Sequence, residues 1–317
     1  MFACNRSDAK FRYKKPSLIT PNEKMNLRKI LIYFLFLGFL VSCSNHSFTQ
    51  RIEMFDTQSA INSIKTQLSF GPRYPGSPGH QLQIKWMRDQ LANFGWEVEL
   101  QQFEYKNTQL TNVIAKKGDS KKPILIGTHF DTRRFADRDL DLNNHSKAVP
   151  GANDGASGVA VLLEIAKILN KNNDEKNSYW LVFFDGEDQG DIEGWDWIQG
   201  STFFTRSLEI LPKAVIVIDM IGDADLVIYQ EGFSHSELQD QVWQTAFHLG
   251  YKKHFVPEIK YSIIDDHKPF VDLGIPSILL IDLDYPYWHT VNDTLDKIST
   301  VSLEQIGNLL IQWLKFQ

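Results

Sequence analysis

Two patterns of hydrophobic positions alternate along residues 51–317 of this chain. Short continuous apolar runs of strand length occur at residues 123–127, 179–184, 214–218 and 275–281. Apolar residues recur at helical spacing at residues 51–68, 80–94, 159–169 and 302–314. Strands that alternate with helices predict a mostly parallel central sheet with helices on both faces.

Two further segments change the picture at one edge of that sheet. Residues 96–100 alternate as a half-buried strand does, and residues 110–115 are typical of its antiparallel neighbour. We therefore predict an α/β fold with a mixed, mostly parallel central sheet. No Pro/Gly/Ser-rich linker, low-complexity tract or repeat interrupts residues 50–317, which predicts a single domain over residues 51–317.

Composition and charge narrow the class of partner. The 317 residues are 43% hydrophobic and 23% charged, which is ordinary for a globular protein with a large core. A formal net charge of −6, with no basic cluster beyond the first 30 residues, argues against nucleic acid as a partner.

The amino-terminal segment has the architecture of a signal peptide. A basic stretch begins at Met25, an apolar run follows at residues 30–41, and Leu40-Val41-Ser42-Cys43 resembles the lipobox of bacterial lipoproteins. The apolar run is too short to span a bilayer comfortably. We predict a signal peptide at residues 25–42, a lipidated Cys43 and a tether at residues 43–50. The alternative is an uncleaved anchor.

This prediction implies an exported protein that is lipid-anchored at the bacterial cell envelope, on the periplasmic side. Residues 1–24 are polar and precede a complete signal peptide, so we treat them as a doubtful leader and expect the true start at Met25. The other cysteine, Cys4, lies in that leader. The mature chain is therefore expected to contain no disulfide despite its export.

Metal-capable residues follow the apolar runs. His129 and Asp131 follow the first run, Glu187 and Asp188 the second, and Asp219 the third, while Trp288-His289 lies beyond the fourth. Ligands and catalytic groups collect outside the carboxyl ends of strands in open α/β sheets. Each residue alone is more readily a turn former, a helix cap or a solvated side chain. Their coincidence predicts a zinc site of imidazole nitrogens and carboxylate oxygens.

Two segments beside these runs bear on that site. Asp154 lies among the small residues 151–158 at the start of a predicted helix, where the helix dipole favours an anionic carboxylate. That position also explains Asp154 as a simple helix cap. Residues 133–150 are rich in Asp, Asn and Arg, and we expect them to form an exposed loop on the rim of the site.

The motifs, taken in order, resemble those of glutaminyl-peptide cyclotransferases, within the wider clan of zinc aminopeptidases. The similarity covers roughly residues 55–317, and its segments are Arg73–Gly79, His129–Asp131, Asp154–Gly158, Phe183–Asp188, Asp265–Phe270 and Trp288-His289. The last two segments look like the cyclase branch, in the animal-like type found in bacteria. The resemblance implies conversion of amino-terminal glutamine of peptides or proteins to pyroglutamate, with release of ammonia.

The resemblance also implies roles for individual residues. One zinc is expected on Asp154, Asp188 and His289. Glu187 is expected to be the general acid/base. The hydrogen-bonding acids of the family fall on Asp219 and Asp266, and the candidates for an apolar substrate pocket are Trp195, Trp197 and Trp288.

This chain departs from the family at Asp188, where most relatives have glutamate. The missing methylene shortens the reach of the carboxylate by about 1.5 Å, so we expect either a loop closer to the metal or weaker ligation. For Trp195 and Trp197, ordinary surface packing explains their presence equally well.

Two other functions remain open from the sequence. In a two-zinc aminopeptidase, His129 and Asp219 would bind a second metal, and a bridging water would attack the peptide bond. Both residues are present, so the ligand inventory does not separate the two enzymes. A non-catalytic binding ectodomain is the third possibility, and the intact Glu187 and ligand set argue against it.

Overall fold

A six-stranded sheet forms the centre of the computed structural model, which describes residues 55–171 and 177–317. The strands of the described residues are β1 (Glu97–Tyr105), β2 (Thr108–Lys117), β3 (Ile124–His129), β4 (Tyr179–Phe184), β5 (Ala214–Asp219), β6 (Ile228–Glu231), β7 (Phe255–Tyr261) and β8 (Ser277–Ile281). The central sheet has the order β1-β2-β4-β3-β5-β8, and β6 pairs with β7 in a separate small sheet.

The central sheet is mixed, as the sequence predicts. Strands β4, β3, β5 and β8 run parallel to one another, whereas β1 and β2 pair antiparallel at one edge and β2 pairs antiparallel with β4. The carboxyl ends of β3, β4 and β5 therefore meet at one edge of the sheet. This edge carries the candidate site.

Helices cover both faces of the sheet. Those of the described residues are α1 (Thr57–Ser69), α2 (Pro78–Asn93), α3 (Ala156–Lys171), α4 (Gln199–Arg206), α5 (Ser236–His248), α6 (Lys268–Asp272) and α7 (Thr300–Leu314). Helix starts follow from local chemistry: Asp56, Ser77 and Ser299 each accept a backbone hydrogen bond as the N-cap of α1, α2 and α7. Pro78 at the first position of α2 fits because its missing N–H would have no helical partner.

Successive side chains of a buried strand point to opposite faces of the central sheet, so the apolar core is divided into one cluster on each face. Ile124 and Ile126 of β3 join the larger core cluster with α1, α2, α3 and α7, while Leu125 joins the smaller cluster with α4 and α6. Every residue of β3, β4, β5 and β8 is buried. A strand buried on both faces reads as a continuous apolar run, which is the pattern that the sequence shows.

The predicted fold class is confirmed, and one local expectation needs correction. The segment 133–150 is not exposed throughout: Arg133, Ala136 and Val149 are buried, and Leu140 and Leu142 project into solvent. No helix of the described residues is long and apolar enough to cross a membrane. The leader, signal peptide, lipidation site and tether predicted within residues 1–50 lie outside the described residues.

Candidate metal centre and pocket

The candidate site lies at the carboxyl edge of the parallel strands. His129 is the last residue of β3 and Asp219 the last of β5, and Glu187 and Asp188 follow β4 by a few residues. Asp154 precedes α3 in the chain. The long turn after β8 completes the site with His289, which is buried like the other five.

Asp154, Asp188 and His289 form one cluster with metal-ligand spacing. One ligand atom from each lies within 4.8 Å of the others. His289 Nε2 lies 2.8 Å from Asp188 Oδ1 and 3.6 Å from Asp154 Oδ2. Ligands held at about 2.0–2.1 Å in a tetrahedral site lie about 3.3 Å apart, so these separations suit zinc. The shorter aspartate at position 188 therefore reaches the cluster.

The same cluster contains buried atoms without hydrogen-bond partners. They are Asp154 Oδ2, Asp188 Oδ2 and both ring nitrogens of His289, whose Nε2 is close to Asp188 Oδ1 but not aligned with it as a hydrogen bond requires. Unpaired buried polar atoms are costly, and a cation that accepts their lone pairs removes that cost. Burial lowers the pKa of His289 to about 3, so its imidazole is neutral and free to act as a ligand at neutral pH.

A second cluster shares Asp154 and adds His129 and Asp219. Here the side chains pair with one another, since His129 Nε2 lies 2.9 Å from Asp219 Oδ1 and 3.2 Å from Asp154 Oδ1. Burial alone would lower the pKa of His129, but Asp219 and Asp154 together hold it well above its usual value. The two carboxylates that contact this imidazole therefore raise its proton affinity.

Asp131 holds the turn that carries Glu187 and Asp188. Its carboxylate accepts hydrogen bonds from the backbone N of Glu187 at 3.0 Å and of Asp188 at 3.3 Å. The Gln189 side chain donates a third, at 3.0 Å. On the other side, Arg133 Nη1 donates to the carbonyl oxygen of Asp188 at 3.0 Å. These bonds fix the backbone at both candidate functional carboxylates.

Asp293 supports the metal cluster in the same way. Its carboxylate accepts from the backbone N of Asn153 at 2.8 Å and of Asp154 at 3.1 Å, and Tyr285 Oη donates a further bond at 2.7 Å. The sequence pointed to Asp131 only as a carboxylate after a strand end, without a role, and it did not point to Asp293. Asp131 lies two residues past a strand end and Asp293 four residues past His289, and this spacing is the one signal that could have identified them.

A pocket of about 300 Å³ opens beside these groups. Its acidic lining consists of Asp154, Glu187, Asp188, Asp219 and Asp265, together with His289. Its apolar lining consists of Trp197, Met220, Ile263, Ile264, Ile281, Leu283 and Trp288. Sites for small ligands span about 300–1,000 Å³, so this pocket accommodates a single side chain or a comparably small group.

Of the three tryptophans proposed from the sequence, Trp288 and Trp197 line the pocket and Trp195 does not. Trp195 packs edge-on against Tyr105 with ring centroids 5.1 Å apart. Trp195 therefore lies outside the lining of this pocket and shows the surface packing that the sequence also allowed. The turn between β4 and α4 places Trp197 parallel to the imidazole of His289 instead.

Glu187 lies among other acids. Burial raises its pKa well above the usual glutamate value, and the nearby carboxylates of Asp265, Asp188 and Asp266 raise it further, while His129 opposes them. A carboxylate with raised proton affinity is suited to general acid/base catalysis near neutral pH. Glu187 belongs to neither of the metal-binding clusters of the described residues.

The structure changes the assignment of the acids after β7. Asp265, not Asp266, lines the pocket, and Asp266 is fully buried. Burial raises the pKa of Asp266 to about 7, and Asp266 still raises the proton affinity of Glu187, as the sequence suggested. The pocket-facing role nevertheless falls to Asp265, because the loop turns through the Asp-Asp pair before α6 begins.

Backbone strain coincides with the site. Met220, directly after Asp219, has φ of 46°, and His289 has φ of 58°. Left-handed backbone is unfavourable for side chains other than glycine, asparagine and aspartate, and it tends to occur where a functional geometry requires it.

Comparisons with known proteins agree with this geometry. The family model described as "Peptidase family M28" matches residues 112–314. The crystal structure of Porphyromonas gingivalis glutaminyl cyclase is 34% identical and covers 84% of this chain and 99% of that chain, with a TM-score of 0.79. A leucine aminopeptidase precursor from Bacteroides thetaiotaomicron is 32% identical, with the same coverage and TM-score. The glutaminyl-peptide cyclotransferase of Gloydius blomhoffii is 25% identical over 287 residues, 75% of each sequence.

Proposed function

The chain belongs to peptidase family M28, and we propose that within this family it is a glutaminyl-peptide cyclotransferase. It converts the amino-terminal glutamine of peptides or proteins to pyroglutamate and releases ammonia. Relatives of that name and the glutaminyl cyclase structures support this function. The observation that carries it is the difference between the two clusters: one has unpaired ligand atoms, and the other is closed by the hydrogen bond between His129 and Asp219.

We propose that Asp154, Asp188 and His289 hold one zinc ion. Their spacing, burial and unpaired atoms support this assignment. When bound there, zinc supplies Lewis-acid polarisation of the γ-carboxamide of the substrate glutamine.

The protein's own groups carry the proton chemistry. The α-amine nitrogen attacks the γ-carboxamide carbon, a carbon–nitrogen bond forms, and the carboxamide nitrogen leaves as ammonia. The Glu187 carboxylate accepts a proton from the attacking amine and returns it to the leaving nitrogen, so protons balance over the reaction. The raised pKa of Glu187 suits both steps.

The surrounding groups position the substrate and exclude water. Asp265 faces the pocket beside Glu187 and sustains its proton affinity. The indoles of Trp197 and Trp288 and the loop residues Ile263 and Ile264 form an apolar wall around the reacting carboxamide. Holding the amine and the carboxamide of one residue together in a small pocket lowers the entropic part of the barrier.

A two-zinc aminopeptidase is the second candidate, because His129, Asp154 and Asp219 also have metal-ligand spacing. In that enzyme His129 must be neutral and must exchange its bond to Asp219 for a metal.

Two substrates and a metal analysis separate the candidates. The purified zinc-loaded protein should release ammonia and pyroglutamyl peptide from a glutamine-initiated peptide, leave a leucine-initiated peptide intact and contain one zinc per chain. Free leucine together with two zincs per chain would establish the aminopeptidase instead.

We also propose that the protein is exported and lipid-anchored through Cys43, with Leu40-Val41-Ser42-Cys43 as the supporting motif. Cys43→Ala should release the protein from the membrane fraction or leave the precursor unprocessed. Cys4→Ala is the matched control, since Cys4 lies in the leader that we expect to be absent from the protein. Unchanged processing and fractionation of Cys43→Ala would disprove the anchor.

A further inference from the structure

Arg138 lies against the wall of the pocket. Its guanidinium carbon is 4.2 Å from the centroid of the Trp288 ring, and Trp288 lines the pocket. Its backbone N donates a hydrogen bond to the carbonyl oxygen of His289 at 3.3 Å. One residue further on, the Asp139 carboxylate accepts a bond from the backbone N of Val291 at 3.1 Å. Two hydrogen bonds therefore fix this part of the loop to the segment that carries His289.

The charge of Arg138 is available to a ligand. The neighbouring Arg133 pairs with Asp137 and Arg134 with Glu193. Arg138 is solvent-exposed, and no carboxylate of the described residues forms an ion pair with it. Stacking on an indole leaves the planar edge of a guanidinium, with its N–H donors, free to bind a carboxylate.

This cation stands beside a strongly acidic pocket. Five carboxyl groups line the pocket, and a substrate that carries a further anion next to its glutamine would be repelled by those that are ionised. The residue after the glutamine must leave the pocket towards solvent, and the exposed Arg138 stacks on Trp288, a half-buried residue of the pocket lining.

We propose that Arg138 is a specificity-determining residue that binds an anionic side chain on the second residue of the substrate, so that peptides beginning Gln-Glu or Gln-Asp are accepted. The proposal rests on the proposed cyclase function, and it adds a substrate class to it. Arg138 takes no part in the proton transfers.

The test compares three amidated peptides, which begin Gln-Glu-Ala, Gln-Ala-Ala and Gln-Lys-Ala and lack a free carboxyl terminus. Arg138→Gln should lower kcat/KM for the Glu peptide about fivefold, which corresponds to the free energy of a partly exposed ion pair. The change should come from a higher KM and not from a lower kcat. The kcat/KM for the Ala peptide should change little, and the kcat/KM for the Lys peptide should rise. Arg138→Lys should restore part of the preference, and high salt should weaken it. Arg134→Gln is the matched control and should leave all three peptides unchanged.

A binding measurement separates this proposal from the cyclase function. Ala-Glu-Ala and Ala-Lys-Ala amides cannot cyclise, and their binding can be followed by the fluorescence of the pocket tryptophans. Wild type should bind the acidic peptide more tightly, and Arg138→Gln should lose that difference. If no glutamine peptide is cyclised, the proposed function fails, and this binding comparison still decides the role of Arg138. Equal losses for all peptides, or none, would overturn the proposal.

Discussion

The indole of Trp197 stacks on the imidazole of His289, with ring centroids 6.1 Å apart and ring planes 9° from parallel. Arg133 covers the Trp197 ring, with its guanidinium carbon 5.0 Å from the centroid, and bonds to the carbonyl oxygens of Asp188 and Gly190. The aromatic wall of the pocket and the metal cluster therefore share one packed unit.

Gly190→Ala should displace Trp197 from this unit. A Cβ atom at Gly190 would lie 2.0 Å from Trp197 Cδ2, which is far inside van der Waals contact, so the half-buried indole must move. We expect a rise in KM and a loss of kcat for a glutamine peptide with little loss of folded protein. Kinetics together with circular dichroism check this. If the variant keeps wild-type kinetics, the contact of Trp197 with His289 does not shape the pocket.

Glu187→Gln should abolish turnover and leave the metal bound. The amide cannot shuttle protons, and general acid/base catalysis contributes about 10²–10⁴-fold. Zinc analysis of the purified variant checks the second half of the prediction. Asp188→Asn is the paired variant, which should lose metal as well as activity. A Glu187→Gln protein that purifies without zinc would make Glu187 a ligand.

The sequence predicted the sheet well because its signal is local. Strands β3, β4, β5 and β8 are buried on both faces, so each is a continuous apolar run with a recognisable end. The apolar runs therefore place the residues at those ends, such as His129 and Asp219, at one edge of the sheet.

Loop geometry could not be predicted in the same way. Asp265 lines the pocket and the adjacent Asp266 does not, and Trp197 lines it while Trp195 does not. In each pair the choice depends on the course of a turn, and turns have no repeating pattern of hydrophobic residues from which it could be predicted. Asp131 and Asp293 act through bonds to the backbone of residues that are distant in sequence, such as Glu187 and Asp154. Only the folded chain shows such bonds.

The acid limb of the pH–activity profile should report Glu187. Because its folded pKa is raised, activity should rise as the pH increases through a range above that of ordinary glutamate. Asp265→Asn removes a neighbouring negative charge, lowers the pKa of Glu187 and should shift this limb to lower pH. Asp284→Asn is a suitable control, since Asp284 is paired with Lys260 and lies outside the pocket. A limb that stays in place in Asp265→Asn would mean that Asp265 does not act on Glu187.

Glu231 holds the loop that supplies Asp265 to the pocket. Its buried carboxylate accepts hydrogen bonds from the backbone N of Phe233, Ser234 and Ile263 and from the Ser234 hydroxyl, and it pairs with His267 Nε2 at 2.9 Å. Burial opposes ionisation, but His267 and these donors lower the pKa of Glu231 to about 2.

Glu231→Gln should therefore destabilise the protein by about 2 kcal/mol, because the carboxamide has only one acceptor oxygen and leaves some of the buried donors around position 231 without a partner. The folded pKa of about 2 is below the ordinary 4.5, so the ionised carboxylate stabilises the protein above about pH 4.5, and this contribution is lost as the pH falls towards 2. The difference in unfolding free energy between wild type and Glu231→Gln should shrink over the same range, as measured by urea unfolding. Glu258→Gln, at an exposed position of β7, should be neutral throughout. If the difference is independent of pH, the loss is one of packing and not of this charge.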